Sequence, residues 1–226
     1  MIHLQDVTKA YYTSGHRKVV ADRLTFTIPD GVRLAVLGRN GAGKSTLLKM
    51  IAGTMEPDSG SIVTTGTVSW PVGFAGSFHP ELTGAQNVRF IARVYGVDTD
   101  ELIDFVEEFA GLGDYYHLPF RVYSSGMRAK LAFGVSMGIR FDTYLVDEST
   151  AVGDAAFRAK SHAYFLDRVT TSGAVFVSHA LRLVRSVCDC GVVLENGQFT
   201  YYDDIDAAVD HHNHNMQSDR AAEDFV

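Results

Sequence analysis

The spacing of apolar positions divides the chain into three regions. From Ile2 to Leu37 they fall in short alternating or continuous runs, HLQDVTKAYY, RLTFTI and RLAVL, with a Pro29-Asp30-Gly31 turn between the last two. Alternation with a period of two marks half-buried strands, so this region is expected to be mainly β. From Thr83 to Arg140 the period becomes helical: Leu102, Phe105, Val106 and Phe109 fall at i, i+3, i+4 and i+7 and make one apolar stripe. Thr83 with Gln86 has the spacing of a capping box, and Asp98 with Glu101 repeats it one helix later. From Phe141 onward strands and helices alternate: YLVDE, a helix near Phe157 to Thr170, AVFVSH, a helix near Leu181 to Val187, GVVLENG, FTYYDD and a last helix. Such alternation predicts a parallel sheet with helices packed on it.

The join between the first two regions carries chemistry. Gly38-Arg39-Asn40-Gly41-Ala42-Gly43-Lys44-Ser45-Thr46 fits the phosphate-binding loop pattern GxxxxGK[ST]. The apolar run Arg33 to Leu37 delivers the chain to it, and TLLKMIA after it has the look of a helix, which is the strand, loop and helix context the pattern needs. Glycines at 38, 41 and 43 let successive N–H groups turn inward on an anion at a helix N-terminus. Lys44 then offers a full positive charge to the β- and γ-phosphates, and the Ser45 hydroxyl is placed for Mg²⁺. The motif establishes a nucleotide and leaves the task open.

Composition narrows the surroundings. The 226 residues, 46% hydrophobic and 21% charged, describe one ordinary globular domain with ample chain for a core. A formal net charge of -7 and a pI near 5.7 do not favour nucleic acid as a partner, because phosphate backbones are gripped by concentrated Lys and Arg. No run approaches the ~20 apolar residues that cross a bilayer, and MIHLQDVTKA lacks the apolar core of a secretion signal. A cytoplasmic chain, tied to a membrane only through a partner, is expected. Cys188 and Cys190 have no second pair to complete a zinc site, so free thiols are expected. The HHNHN run with His211, His212 and His214 has metal-binding residue types, but the polar SDRAAEDFV after it makes a solvated, frayed end of the last helix the expectation.

Three later segments identify the setting. YSSGM at Tyr123, Ser124, Ser125, Gly126 and Met127 resembles the signature loop, usually LSGGQ, of ATP-binding-cassette ATPases. YLVDE at Tyr144 to Glu148 and the Ser178-His179 step follow in that family's order. Tyr123, Ser125 and Met127 depart from the general pattern, yet look like the variant in ATPase subunits that export capsular polysaccharide in Gram-negative bacteria. SWPVGFAGSFHPELTG at Ser69 to Gly84 and DESTAVGD at Asp147 to Asp154 are similar to that family too, and the resemblance runs to about Asn215.

The resemblance implies an α/β fold: a P-loop NTPase core with a parallel sheet and flanking helices, an N-terminal antiparallel β region and a helical insert. The whole of 1–226 would be one cassette, with a mainly β region over 1–37, core over 38–82 and 141–210, helical subdomain over 83–140 and a short tail over 211–226. It implies ATP hydrolysis coupled to transport, with ATP and Mg²⁺ as ligands. Asp147 would join Ser45 in holding Mg²⁺, through water in the case of Asp147. Glu148 would orient and deprotonate the attacking water, and His179 would contact the γ-phosphate and the base.

Tyr11 aligns with the aromatic that stacks on adenine. Ser124 and Gly126 would face the γ-phosphate of a nucleotide held by another subunit, which makes a head-to-tail homodimer, and Ala151, Val152, Gly153 and Asp154 would form the loop that meets that subunit. Trp70, Phe74, Phe78 and His79 are the expected contacts to a permease. Two permease copies, with periplasmic adaptor and outer-membrane export proteins reached through them, would complete the assembly at the cytoplasmic face of the inner membrane. Another cassette exporter or importer, or a cassette ATPase without a transport role, is the alternative. The glutamine that the superfamily usually has before the helical insert falls at or near Phe74, so that loop's metal contact is not carried over.

Overall fold

The computed structural model describes residues 1–13, 15–74, 76–147 and 153–223. The described residues form two compact units, one within Met1–Pro71, Phe141–Glu148 and Val169–Val226, the other within Val72–Arg140 and Ser149–Arg168. Every strand among the described residues belongs to the first unit.

In that unit, Ile2–Thr13 (β1) and His16–Ile28 (β2) form a long antiparallel hairpin in which Tyr11 stands opposite Lys18. After the Pro29-Asp30-Gly31 turn, Arg33–Leu37 (β3) enters a second sheet and leads through the glycine-rich loop into Lys44–Ile51 (α1). Ser59–Thr64 (β4) returns to pair with β1, giving the three-stranded order β2-β1-β4. The remaining strands are Val68–Pro71 (β5), Thr143–Asp147 (β6), Gly173–Val177 (β7), Cys190–Glu195 (β8) and Gln198–Tyr202 (β9). With β3 they form a six-stranded sheet ordered β5-β6-β7-β3-β8-β9, parallel except for the β9 edge. Leu181–Val187 (α6) and Ile205–Glu223 (α7) also belong here. Strands β3, β6 and β7 are apolar and buried almost throughout, as strands covered on both faces must be. Leu34, Val36, Leu48, Leu145, Val175 and Val192 form the centre of the core.

Two strands lie outside the sequence expectations. The run SGSIVT is almost wholly exposed and has no apolar alternation, so β4 rests on backbone pairing with β1. Gly60, at φ 80, makes that pairing close: a Cβ there would sit 2.4 Å from the carbonyl oxygens of Gln5 and Asp6. VSWP is too short for a pattern; β5 is an edge strand, where Pro71 is tolerated, and buried Ser69 accepts a hydrogen bond from Leu145 N at 2.9 Å.

The second unit is helical: Gly84–Tyr95 (α2), Thr99–Ala110 (α3), Ser125–Gly138 (α4) and most of Ala155–Thr170 (α5). The Thr83 capping box is present in both directions, Gln86 N donating to Thr83 Oγ1 at 3.1 Å and Thr83 N to Gln86 Oε1 at 2.9 Å. Asp98 caps α3 by accepting from the N–H groups of Asp100 and Glu101. Caps of this kind each contribute about 1 kcal/mol. The predicted stripe is the packing face of α3: Leu102, Val106 and Phe109 are buried, and Phe109 stacks with Phe105 and meets Phe157 edge-on with centroids 5.5 Å apart in each case.

Within the expected tail over 211–226, α7 runs through Glu223. No helix among the described residues is long and apolar enough to cross a membrane.

Candidate nucleotide site

Parallel strands end on the same edge of their sheet, and β6, β7 and β3 are neighbours. Their C-terminal ends therefore bring Asp147, Ser178-His179 and Gly38 together, at the edge where open α/β sheets bind ligands.

The loop from Gly38 to Gly43 is fixed by contacts that exclude side chains. A Cβ on Gly38 would lie 2.5 Å from Leu194 O, and one on Gly43, at φ 113, would lie 2.6 Å from Val20 Cβ. The N-cap of α1 is Gly43 in the left-handed region, with no side-chain cap and no acidic residue in the first turn. Its first N–H groups are thus left for an anion, with the helix dipole favouring negative charge. Lys44 is only 6% exposed, and its ammonium donates to Gly38 O at 2.7 Å and Arg39 O at 3.0 Å, which curls the side chain back over its own loop. Ser45 Oγ donates to Asp147 Oδ1 at 3.3 Å. A hydroxyl, a carboxylate, a buried ammonium and uncapped amides at one edge fit a phosphate chain with a divalent cation.

A cleft of about 300 Å³ runs beside the loop, lined by Tyr11, Lys18 and Val20 on the hairpin and by residues of the loop and α1. The Tyr11 hydroxyl is 3.2 Å from Thr46 Oγ1, which holds the 38%-exposed ring at the cleft wall. Lys18 and Val20 were not anticipated; the signal for Lys18 was its hairpin register opposite Tyr11.

His179 is exposed just beyond β7, and the preceding Ser178 is buried with its hydroxyl accepting from Ala180 N at 3.1 Å. Glu148, Ala151 and Val152 lie outside the described residues. Of the same loop, Asp154 has its carboxylate engaged within its own unit: it accepts from Phe157 N at 2.9 Å as the cap of α5 and pairs with Lys130 at 2.8 Å. The Lys130 bond is the larger cause that holds its pKa down at about 2.

In the helical unit Ser124 caps α4, accepting from Met127 N at 3.2 Å, so Ser124, Ser125 and Gly126 are an exposed helix N-terminus. A Cβ on Gly126 would meet only Ser124 Oγ, 4.0 Å away, which leaves open space there. Tyr123, where the general pattern has leucine, is buried and donates to Tyr115 O at 2.7 Å; burial pushes its phenol up to about 12.

The four candidates for permease contact separate. Phe74 is 53% exposed, whereas Phe78 is 8% exposed and packs on Phe120 with centroids 5.1 Å apart, so the expectation that Phe78 is displayed is not met. His79 N donates to Asn87 Oδ1, and Trp70 packs edge-on against Phe141 in the first unit. Phe90 and Val94, one turn apart on α2 and both exposed, add apolar surface that the motif reading missed.

The HHNHN run is not a solvated helix end. His212 is buried; burial pushes its imidazole pKa down, and the charges of Lys44 and His179 push it the same way. His211 is half-buried and hydrogen-bonded to Tyr202 and Asn215. The expectation failed because the side of α7 that carries these residues packs against the sheet. Among the described residues no group of three or more His, Cys, Asp or Glu is arranged to hold a metal. Cys188 and Cys190 are both free and buried.

A phosphate loop at the C-terminal edge of a parallel sheet, with an acidic strand end beside it, marks a nucleotide-binding protein of the phosphate-loop class. The model of the ABC transporter family matches residues 21–151, and the chain belongs to that family. It is 48% identical over 213 residues to the polysialic acid transport ATP-binding protein KpsT of Escherichia coli, spanning 93% of this chain and 95% of the relative. The ATP-binding protein BexA of Haemophilus influenzae is 42% identical, with 94% and 98% covered. The capsule polysaccharide export ATP-binding protein CtrD of Neisseria meningitidis is 41% identical, with 94% and 99% covered. Among solved structures, a dimeric ATP-binding cassette in a post-hydrolysis state with ADP and Pi superposes with a TM-score of 0.71 at 18% identity, covering 89% of this chain and 98% of that one. The ATP-binding subunit of an ABC transporter gives 0.71 at 22%, covering 96% and 99%. These two matches show the fold.

Proposed function

We propose that this chain is the ATP-hydrolysing subunit that powers export of capsular polysaccharide across the bacterial inner membrane through a separate permease. One observation carries the ATPase reading: the Ser45 hydroxyl meets the Asp147 carboxylate beside the buried Lys44 ammonium, at the mouth of an uncapped helix. The names of relatives that match almost end to end support the cargo.

In this reading the amides of Gly38 to Thr46 and the Lys44 ammonium hold and orient the phosphates, with Arg39, Asn40 and Ala42 contributing backbone. Tyr11 stacks on the adenine. Ser45 and Asp147 hold Mg²⁺, which when bound supplies positive charge to the phosphate oxygens. Glu148 takes the proton of the attacking water, and His179 steadies the γ-phosphate end. Phosphoryl transfer asks of a protein mainly position and charge, which these groups provide.

The N-terminus of α4, exposed at Ser124, Ser125 and Gly126 and flanked by the buried Tyr123 and by Met127, serves the ATP of a second copy. Each of two sites then combines Lys44 of one chain with Ser124 and Gly126 of the other, and Ala151 to Asp154 border the joint. The chain has no spanning helix among its described residues. It is held at the cytoplasmic face by two permease copies, to which Phe74 offers exposed apolar surface.

The test is co-purification with a candidate capsule-export permease, followed by ATPase assay in vesicles. Lipid-linked glycan is expected to stimulate hydrolysis, and Phe74→Ser to weaken assembly while leaving ATP binding intact. A permease complex whose ATPase responds instead to a periplasmic binding protein would overturn the export reading.

A further inference from the structure

One motif is unused by the nucleotide chemistry, the His211-His212-Asn213-His214-Asn215 run of α7. Asn215 Nδ2 donates to Glu195 Oε1 at 2.6 Å and to His211 Nε2 at 2.9 Å, and His211 Nδ1 lies 2.9 Å from the Tyr202 hydroxyl. An amide nitrogen carries two protons, so both of its bonds form at once; a ring Nε2 that accepts leaves the neutral ring's proton on Nδ1, where Tyr202 accepts it. A continuous chain of bonds thus ties α7 to both strands of the β8–β9 hairpin.

That hairpin abuts the phosphate loop. Leu194 O approaches Gly38 so closely that only glycine fits, and Gly38 O in turn accepts from the Lys44 ammonium. Glu195, Asn196 and Asn215 share the walls of one cavity of about 440 Å³ with Lys18 and Arg39 to Ala42 of the loop. From Asn215 the path to Lys44 is therefore short: one charge-assisted bond to Glu195, the adjoining Leu194 carbonyl, Gly38, and the ammonium. His212, one residue after His211, is buried on the same helix.

We propose that Asn215, acting through Glu195 and braced by His211, is a positioning residue for ATP: it fixes the β8–β9 hairpin and so the shape of the phosphate loop. This inference rests on the nucleotide-site reading above. A loop held in its anion-binding shape binds without first being ordered, so the effect falls on affinity and not on the chemical step.

The experiment measures ATP binding and steady-state hydrolysis for the full chain and for Asn215→Ala, Glu195→Ala, the double variant and Lys44→Ala. Asn215→Ala is expected to raise Kd and KM for ATP about threefold to tenfold, the scale of one lost charge-assisted bond partly transmitted, while kcat at saturation stays within about twofold. The double variant should bind no more weakly than the weaker single one. Asn215→Asp keeps the shape but sets a carboxylate against Glu195, and should be at least as impaired even where Asn215→Ala lowers stability. Unchanged Kd in Asn215→Ala and Asn215→Asp, penalties that add in the double variant, or a fall in kcat at constant KM would overturn the inference. If Lys44→Ala bound ATP like the parent chain, the nucleotide-site reading would fail instead.

Discussion

Ser45 and Asp147 stand 102 positions apart in sequence, yet the Ser45 hydroxyl donates to Asp147 Oδ1 at 3.3 Å. The first lies in the first turn of α1 and the second ends β6, and the parallel sheet order β6-β7-β3 is what brings these two places to one edge.

From that pair follows a metal-dependence prediction. Asp147→Asn keeps the shape and removes the charge, so the Mg²⁺ concentration for half-maximal ATPase activity should rise at least tenfold and the rate fall at least ~100-fold, as expected for lost charge stabilisation of a few kcal/mol. A Mg²⁺ titration of ATPase activity checks both; an unchanged curve would remove Asp147 from the metal site.

Glu148 adjoins Asp147 in sequence, and the proposed function makes it the base. Glu148→Gln should bind ATP with ordinary affinity and hydrolyse it at least ~100-fold more slowly, the worth of a positioned general base. Single-turnover hydrolysis beside an equilibrium binding measurement separates the two effects, and near-normal turnover would reassign the base.

Asp154 predicts a pH effect on stability. Its Lys130 bond and its cap on α5 lower the folded pKa to about 2, below the ordinary carboxylate value of about 3.9. A depressed folded pKa gives stability that is complete above the unfolded value and lost as pH falls through the folded one. Asp154→Asn should therefore lower the urea midpoint at neutral pH, and the gap from the parent chain should narrow between about pH 4 and pH 2. A gap that is constant over that range would show that the ionised carboxylate contributes nothing.

The two thiols should be inert in the folded chain. Burial pushes Cys188 up to about 12 and raises Cys190 as well, so the reactive thiolate is disfavoured at both. Iodoacetamide at pH 8 should label neither residue in the native protein and both in denaturant, read by intact mass. Rapid native labelling would contradict their burial.

Sequence alone determined everything that depends on neighbours along the chain. The phosphate loop, the two capped helices of the insert and the β6 and β7 runs were legible, because loop, cap and strand patterns are set by residues within a few positions of one another. Thr83 with Gln86 and the Leu102 to Phe109 stripe have the roles their spacing implies. The tertiary structure decided what depends on partners far away in sequence. Strand β4 exists only because β1 offers it backbone groups, and nothing in SGSIVT announces that. Phe78 was expected among the contacts to a permease, but Phe120, 42 positions on, gives it an interior. The polar run from His211 looked solvated because a histidine and an asparagine are as much at home in water as in a bonded chain. Only the packing of α7 beside Glu195 and Tyr202 supplies the acceptors that bring them in, since burial of polar groups is decided by whether every bond can be met.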